Sequence, residues 1–151
     1  DPIYAVTFKI PYGFKQETCN YTEEGRRLIH KRLTHLDGIF RYLAEHPLRH
    51  ESIELNDNRI SRMSAQRGKC SITKKQLTVY DMRVHKIYPN GGDGYRNIDI
   101  VSSDAYELIH TKESERAKEL ITKLTSEGLW NENALKKTNN YRILVGNAII
   151  E

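Results

Sequence analysis

The segment from Arg67 to His110 constrains this 151-residue chain more than any other, because its apolar periodicity changes there from that of a helix to that of strands. Apolar and β-branched residues lead up to His85, a Pro-Asn-Gly-Gly-Asp-Gly run follows, and Asn97 comes shortly after that run. A short stretch with helical spacing then ends at His110. Because a run so rich in glycine and proline cannot continue a strand or a helix, the pattern predicts a strand, a loop and a helix, with imidazoles at both ends.

The pattern around this segment predicts a β-hairpin between two helices. Residues 70–73 have the composition of a first strand, residues 74–76 of a turn, and residues 77–87 of a second strand. A short helix, residues 58–67 with Asp57 as its cap, precedes the hairpin. Another helix, residues 104–110, follows the loop, and Ser103 is placed to cap it.

Further helices flank this core in the sequence. A long amphipathic helix is predicted for residues 22–45, and Pro47, just beyond it, prevents the helix from continuing. After the core, one helix ends at Gly128 and another is capped by Asn131. These patterns divide the chain into an N-terminal arm and long helix (1–55), a core (56–112) and a C-terminal helical extension (113–151).

Composition indicates a globular domain. The apolar fraction of 38% is low but sufficient for a core at this length. No run approaches the roughly 18 apolar residues that a membrane helix needs. Cys19 and Cys70 are too few for a disulfide framework or a cysteine-ligated zinc site. We therefore expect no membrane segment and a reducing cytoplasm, and, because the chain starts without Met, a piece cut from a longer protein.

Positive charge is concentrated between Asn58 and Asn90. That segment contains eight basic residues and a single acidic residue, Asp81, so its net charge is +7 and the rest of the chain sums to −3. Such clustering indicates a phosphate-binding face, because neutralised phosphates release condensed counterions; an ordinary solvated surface is the alternative. The residues expected to contact nucleic acid are Arg59, Arg62, Arg67, Lys69, Lys74, Lys75 and Arg83.

From Asn56 to His110 the sequence resembles the C-terminal HNH endonuclease domain of bacterial group II intron reverse transcriptase/maturases. The motifs that carry this likeness are NDNRIS, QRGKCSIT, VHKIYP, GGDGYRNIDIV and ELIH. It extends upstream through GFKQETCNYTEEGRRLIHKRL and downstream through LKKTNNYRILVGNAII, so it covers nearly all of the chain. The resemblance implies an α+β fold in which helices flank a ββα-metal core of the HNH, or His-Me finger, type. It also implies that polymerase and maturase regions precede this segment in the parent protein.

The resemblance assigns roles to individual residues. The family's strand has two adjacent histidines, a metal ligand and then the general base; here His85 takes the ligand position and Lys86 stands at the base position. Asn97 matches the asparagine that braces the loop and the base. On the helix the family has two ligating histidines four residues apart; His110 keeps the second, and Tyr106 replaces the first.

These substitutions predict impaired cleavage. A lysine, with a reference pKa of about 10.4, is protonated at neutral pH unless burial or a nearby cation depresses its pKa. It can instead contact a phosphate or hydrogen-bond Tyr106. Two imidazoles with a neutral tyrosine hold a divalent ion weakly, and Asp99 or Asp104 are the candidates to replace the lost ligand. We therefore expect one divalent ion, Mg²⁺, Mn²⁺ or Zn²⁺, to be weakly bound or absent.

The sequence thus predicts a domain that binds target DNA in the bacterial cytoplasm with little or no strand cleavage. Intron RNA, reached through the parent protein, is a further expected partner. One alternative is an active, metal-dependent HNH endonuclease that nicks target DNA. Another is a structural module in which the helix at residues 22–45 docks on the reverse transcriptase body. The sequence leaves open whether the chain is an enzyme.

Overall fold

A computed structural model describes residues 36–151. The chain divides into two compact units, Asp1–Arg41 and Tyr42–Glu151. Residues 36–45 are helical and are called α1; residues 36–41 belong to the first unit. Predicted helical residues 22–35 and Cys19 lie outside the described residues.

The helix α2 spans Ile53–Ala65 and begins earlier than predicted. Its cap is Ser52, whose side chain accepts a hydrogen bond from the Leu55 backbone N–H at 2.9 Å, so the prediction of Asp57 as the cap is wrong. The Asn56 side chain accepts a hydrogen bond from the Leu48 N–H at 2.7 Å and donates to the Leu48 carbonyl at 3.2 Å. That pairing fixes the chain before Ser52, which is why the helix starts there.

The sheet consists of β1, Met82–Lys86, paired antiparallel with β2, Ile98–Ser102. The predicted hairpin partner, residues 70–73, is instead a turn, in which the Cys70 N–H donates to the Lys75 carbonyl at 2.8 Å. Lys74 adopts a left-handed backbone with φ of 63°, a conformation that composition does not reveal. A single bridge, Lys69 to Gln76, closes this turn, and both of its residues lie just outside the predicted strands.

The helix α3, Ser103–His110, follows β2 without a loop. It was predicted for residues 104–110, and Ser102, one residue before the expected cap, accepts from the Ala105 N–H. Every residue of β2 is buried, and so are Ala105, Leu108 and Ile109 of α3. Two antiparallel strands combined with helices confirm the α+β class for the described part of the chain.

The helices α4, Ser114–Ser126, and α5, Glu132–Leu144, complete the unit. Gly128, with φ of 73°, follows the end of α4, and the Asn131 side chain caps α5 by accepting from the Ala134 N–H at 2.9 Å, both as predicted. A core cluster joins α4 to α3: Leu108, Ala117, Leu120 and Leu124.

The predicted boundaries at 55/56 and 112/113 both fall inside the second unit, the first of them within α2, and stay predictions. Among the described residues, no helix combines the length and apolar character that crossing a membrane requires.

Candidate functional site

His85 and His110 meet where β1 lies beside the end of α3. Their ring centroids are 5.4 Å apart at an interplanar angle of 68°. Tyr106 lies one helical turn before His110, with ring centroids 4.3 Å from His110 and 6.4 Å from His85. Residues four apart share a helix face, so α3 presents both Tyr106 and His110 to the strand. The structure therefore brings together the three positions that the sequence assigned to metal ligation.

His85 is buried without a hydrogen-bond partner. Its side chain is 1% exposed, and neither Nδ1 nor Nε2 has a partner. Burial lowers its pKa to about 4; His110 adds to this, and Asp99 opposes it. The Tyr141 ring packs against it with centroids 4.8 Å apart. At neutral pH His85 is thus an uncharged imidazole whose lone pair and N–H are both unused.

The two carboxylates that the sequence analysis named as candidates for a third metal ligand are engaged elsewhere. Asp99 is 5% exposed and accepts hydrogen bonds from the Ser71 hydroxyl and the Tyr141 hydroxyl. Asp104 forms an ion pair with Lys123 at 2.9 Å.

The donor set does not fit a three-ligand metal site. Within residues 36–151, no group of three or more His, Cys, Asp and Glu side chains is arranged to hold a metal ion. Two imidazoles and one phenol remain at the position where the sequence placed the metal. A phenol that keeps its proton is a poor ligand for a divalent ion, so these residues support weak binding at most.

Lys86, at the predicted base position, forms ion pairs. Its Nζ lies 2.9 Å from Asp93 and 3.9 Å from Glu51, and Asp93 also accepts from the Ser52 hydroxyl at 2.6 Å. The hydrogen bond to Asp93 raises the pKa of Lys86. Lys86 is therefore protonated at neutral pH and has no lone pair with which to accept a proton. Its partners are these carboxylates, and not Tyr106 as the sequence had suggested.

Asn97 holds the loop between the strands. Its side chain is 9% exposed; Oδ1 accepts from the Tyr88 N–H at 2.9 Å, and Nδ2 donates to the carbonyls of Tyr88 at 3.0 Å and Gly92 at 2.8 Å. A Cβ on Gly91 would lie 2.9 Å from Nδ2, so glycine permits this close approach. The amide thus ties both ends of a tight turn to the start of β2.

Several basic residues lie in the turn after α2. Arg67, Lys69 and Lys74 are exposed, whereas Lys75 is half-buried and pairs with Asp81 at 3.5 Å. The bridge between residues 69 and 76 closes this turn, so its cations share one short stretch of surface.

The remaining basic residues differ in their surroundings. Arg59 is 6% exposed and its Nη2 donates to the carbonyls of Leu43 and His46, so it is buried and not part of an open surface. Arg62 lies over the Tyr95 ring at 4.2 Å. Arg83 is exposed on β1.

A cavity of about 750 Å³ adjoins the histidine pair. His85, Lys86 and His110 line it, together with residues that the sequence did not single out, of which Tyr42 and His46 are the most informative. Their rings stack with centroids 4.0 Å apart and 16° between planes. The spacing of four residues in a predicted helix was the signal that could have revealed this aromatic pair.

Residues in α5 were also missed. Arg142 donates through Nη1 to the carbonyls of Leu108 at 2.6 Å and Thr111 at 2.9 Å, so it satisfies carbonyls at the end of α3 that no intrahelical partner could reach. Because Tyr141 also packs on His85, α5 contacts both the strand residue His85 and the end of the helix α3 that carries His110.

No protein-family model, curated protein or solved structure matches this chain.

Proposed function

We propose that this chain is a nucleic-acid-binding domain, a degenerate HNH module of a group II intron-encoded reverse transcriptase/maturase that positions target DNA without cutting it. The observation that carries this proposal is the pairing of His85 with His110, centroids 5.4 Å apart, beside a Lys86 that is held in ion pairs. The proposal is supported by two antiparallel strands and by the helix that directly follows the second of them, because these elements hold His85 and His110 side by side.

Cleavage of a phosphodiester needs a base for the attacking water and a cation for the charge that develops on the phosphate. Lys86 cannot supply the base, because its ion pair with Asp93 raises its pKa. The cation is poorly held, because two imidazoles are the available strong ligands. Both requirements therefore fail together, and binding is the activity that remains.

Binding requires exposed cations, and the turn after α2 provides them. Arg67, Lys69 and Lys74 are exposed there, and Arg83 is exposed on β1. We call these four residues the basic surface. Each phosphate that they neutralise releases condensed counterions, so affinity should fall steeply with salt. Arg59 is excluded from this surface by its burial.

An active nuclease is the second candidate, and one observation favours it. The unpartnered ring nitrogens of His85 suit a group that binds a metal when substrate is present. This candidate predicts nicking of supercoiled DNA with Mg²⁺ or Mn²⁺ and loss of nicking on His85→Ala. The proposal predicts that the unmodified chain leaves supercoiled DNA intact at protein concentrations that saturate DNA binding.

The binding test uses the full chain and a Lys69→Glu/Lys74→Glu variant. Lys75 is left unchanged because it pairs with Asp81. If both lysines contact phosphates, the log–log salt slope should shrink by about two units, and affinity should fall for all duplex sequences alike. The matched control is Lys112→Glu/Lys136→Glu, the same charge change at exposed residues outside the basic surface. Equal loss of affinity in both variants, or no loss in either, contradicts the assignment.

A further inference from the structure

Two residues that line the cavity beside the histidine pair have buried polar atoms that lack partners. Arg59 Nε and both ring nitrogens of His85 are unpartnered, and these residues are 6% and 1% exposed. Both residues line the cavity. Among the described residues, Thr138 Oγ1 is the other buried side-chain atom in this state, and Thr138 does not line the cavity. Unpaired buried donors are costly, so the cavity favours a ligand that brings hydrogen-bond acceptors.

The charged residues around the cavity determine whether an anionic or a cationic ligand is favoured. Arg59, Arg83 and Lys86 line the cavity, against Glu51 as the acidic lining residue, and Lys86 is paired with Asp93 at 2.9 Å. With both carboxylates counted, three positive charges stand against two negative ones. Arg59 uses Nη2 to hold two backbone carbonyls, which leaves its Nε–H available. The lining is therefore net positive, and an anionic group is favoured.

The rest of the lining is apolar and aromatic. The stacked rings of Tyr42 and His46 form one part of it. A cavity of about 750 Å³ is much larger than one phosphate needs and lies in the range of sites for small organic ligands, about 300–1,000 Å³. The ligand should then combine an anion with a flat apolar ring.

We propose that this cavity binds a nucleoside monophosphate unit, presented as an unpaired nucleotide of bound DNA. The phosphate supplies acceptors to Arg59 and His85, and the base packs on the Tyr42–His46 pair and the apolar wall. A paired base is stacked and hydrogen-bonded within its duplex and cannot enter, whereas an unpaired one enters at little cost. The DNA source of the nucleotide depends on the proposed function; the cavity chemistry is the same for a free nucleotide.

The experiment compares three probes on the full chain at one salt concentration. They are a fully paired duplex, the same duplex with one extra unpaired 2-aminopurine nucleotide, and free deoxyadenosine 5′-monophosphate. The unpaired duplex should bind about tenfold more tightly than the paired one, the scale of one base–aromatic stack. Its 2-aminopurine fluorescence should change on binding.

Two variants locate the effect. Tyr42→Ala and His46→Ala each remove part of the stacking surface and should abolish the preference while leaving affinity for the paired duplex unchanged. His46 is exposed, and its backbone carbonyl still accepts from Arg59, so this variant should fold even if Tyr42→Ala does not. The matched control is Tyr88→Ala, a tyrosine that is 58% exposed and does not line the cavity; it should keep the preference.

Each outcome separates the alternatives. Equal affinity for both duplexes and no binding of the free nucleotide would overturn the inference, as would a preference that survives both ring deletions. Binding of the free nucleotide that Tyr42→Ala or His46→Ala abolishes, with no duplex preference, supports the cavity site and assigns it to free nucleotides. Failure of the proposed function would appear separately, as the absence of salt-dependent binding to the paired duplex.

Discussion

Asn97→Ala tests whether one side chain holds the loop between β1 and β2. The substitution removes three hydrogen bonds, at 2.8, 2.9 and 3.0 Å, to the backbone of Tyr88 and Gly92. A typical hydrogen bond contributes about 1 kcal/mol net, so the ceiling is about 3 kcal/mol. Tyr88 and Gly92 are exposed, and water replaces part of the loss. We expect the free energy of unfolding to fall by about 2 kcal/mol.

Gly91→Ala should act through the same amide. The added Cβ would lie 2.9 Å from Asn97 Nδ2 and 3.0 Å from Oδ1, and the hydrogen bonds of Asn97 prevent it from moving away. The φ of Gly91 is not positive, so an alanine backbone is unstrained there and the cost is steric, about 1–3 kcal/mol. In the Asn97→Ala background that clash is gone, so Gly91→Ala should cost almost nothing.

Urea unfolding followed by circular dichroism measures all four corners of this double-mutant cycle. We expect a coupling energy of about 1 kcal/mol or more between positions 91 and 97. Asn90→Ala, an exposed change in the same loop, is the control and should stay within about 0.5 kcal/mol of wild type. Additive effects at positions 91 and 97, or an Asn97→Ala variant as stable as the control, would refute the bracing role.

Three further predictions concern the histidine pair. Lys86→His with Tyr106→His supplies a base and a third imidazole, so the double variant should nick supercoiled DNA with Mg²⁺ or Mn²⁺, whereas neither single variant should. Adding His85→Ala should abolish the gain. A folded but inert double variant would contradict the degenerate-site assignment. Calorimetry should find weak Zn²⁺ binding to the unmodified chain, because His85 and His110 are two ligands where three are needed; a tight stoichiometric site would show a missed ligand. The pKa of His85 is lowered in the folded chain, so the unfolded chain takes up a proton first as the pH falls. The free energy of unfolding should therefore fall by up to about 3 kcal/mol between pH 6.5 and about 4. His85→Leu should flatten that decline, and an unchanged pH profile in this variant would refute the prediction.

The shared helix face of Tyr106 and His110 could be predicted from sequence because residue spacing determines which side chains share a face. The approach of His85 to that face was implied by the family resemblance, not by spacing. Tyr106 and His110 are four apart on a helix, and α3 presents both to the same side. The loop could also be predicted from sequence, since its glycine and proline content excludes regular structure. Local rules therefore located the parts of the site that depend on local geometry.

The strand pairing could not be predicted in this way. Residues 70–73 have strand composition and lie near β1 in sequence, but they form a turn whose Lys74 has a positive φ. The partner of β1 is Ile98–Ser102, across the loop, where burial of every residue removes the alternation that marks a half-exposed strand. Composition cannot distinguish these two pairings; the burial of β2 against α3 and the surrounding core decides between them.

Ion pairs explain how this region stays ordered without a strong metal site. In a metal centre the ion joins strand to helix; here Lys86 on β1 binds Asp93 in the loop, and Asp93 accepts from Ser52, the cap of α2. The Asn58 side chain also donates to the Asp93 carbonyl at 2.9 Å, so both the side chain and the backbone of Asp93 join the loop to α2. A histidine at position 86 would lose the charge that Asp93 pairs with. Lys86, which stands at the position that the resemblance assigns to the base, thus also anchors the loop, and Lys86→His should cost part of that anchoring.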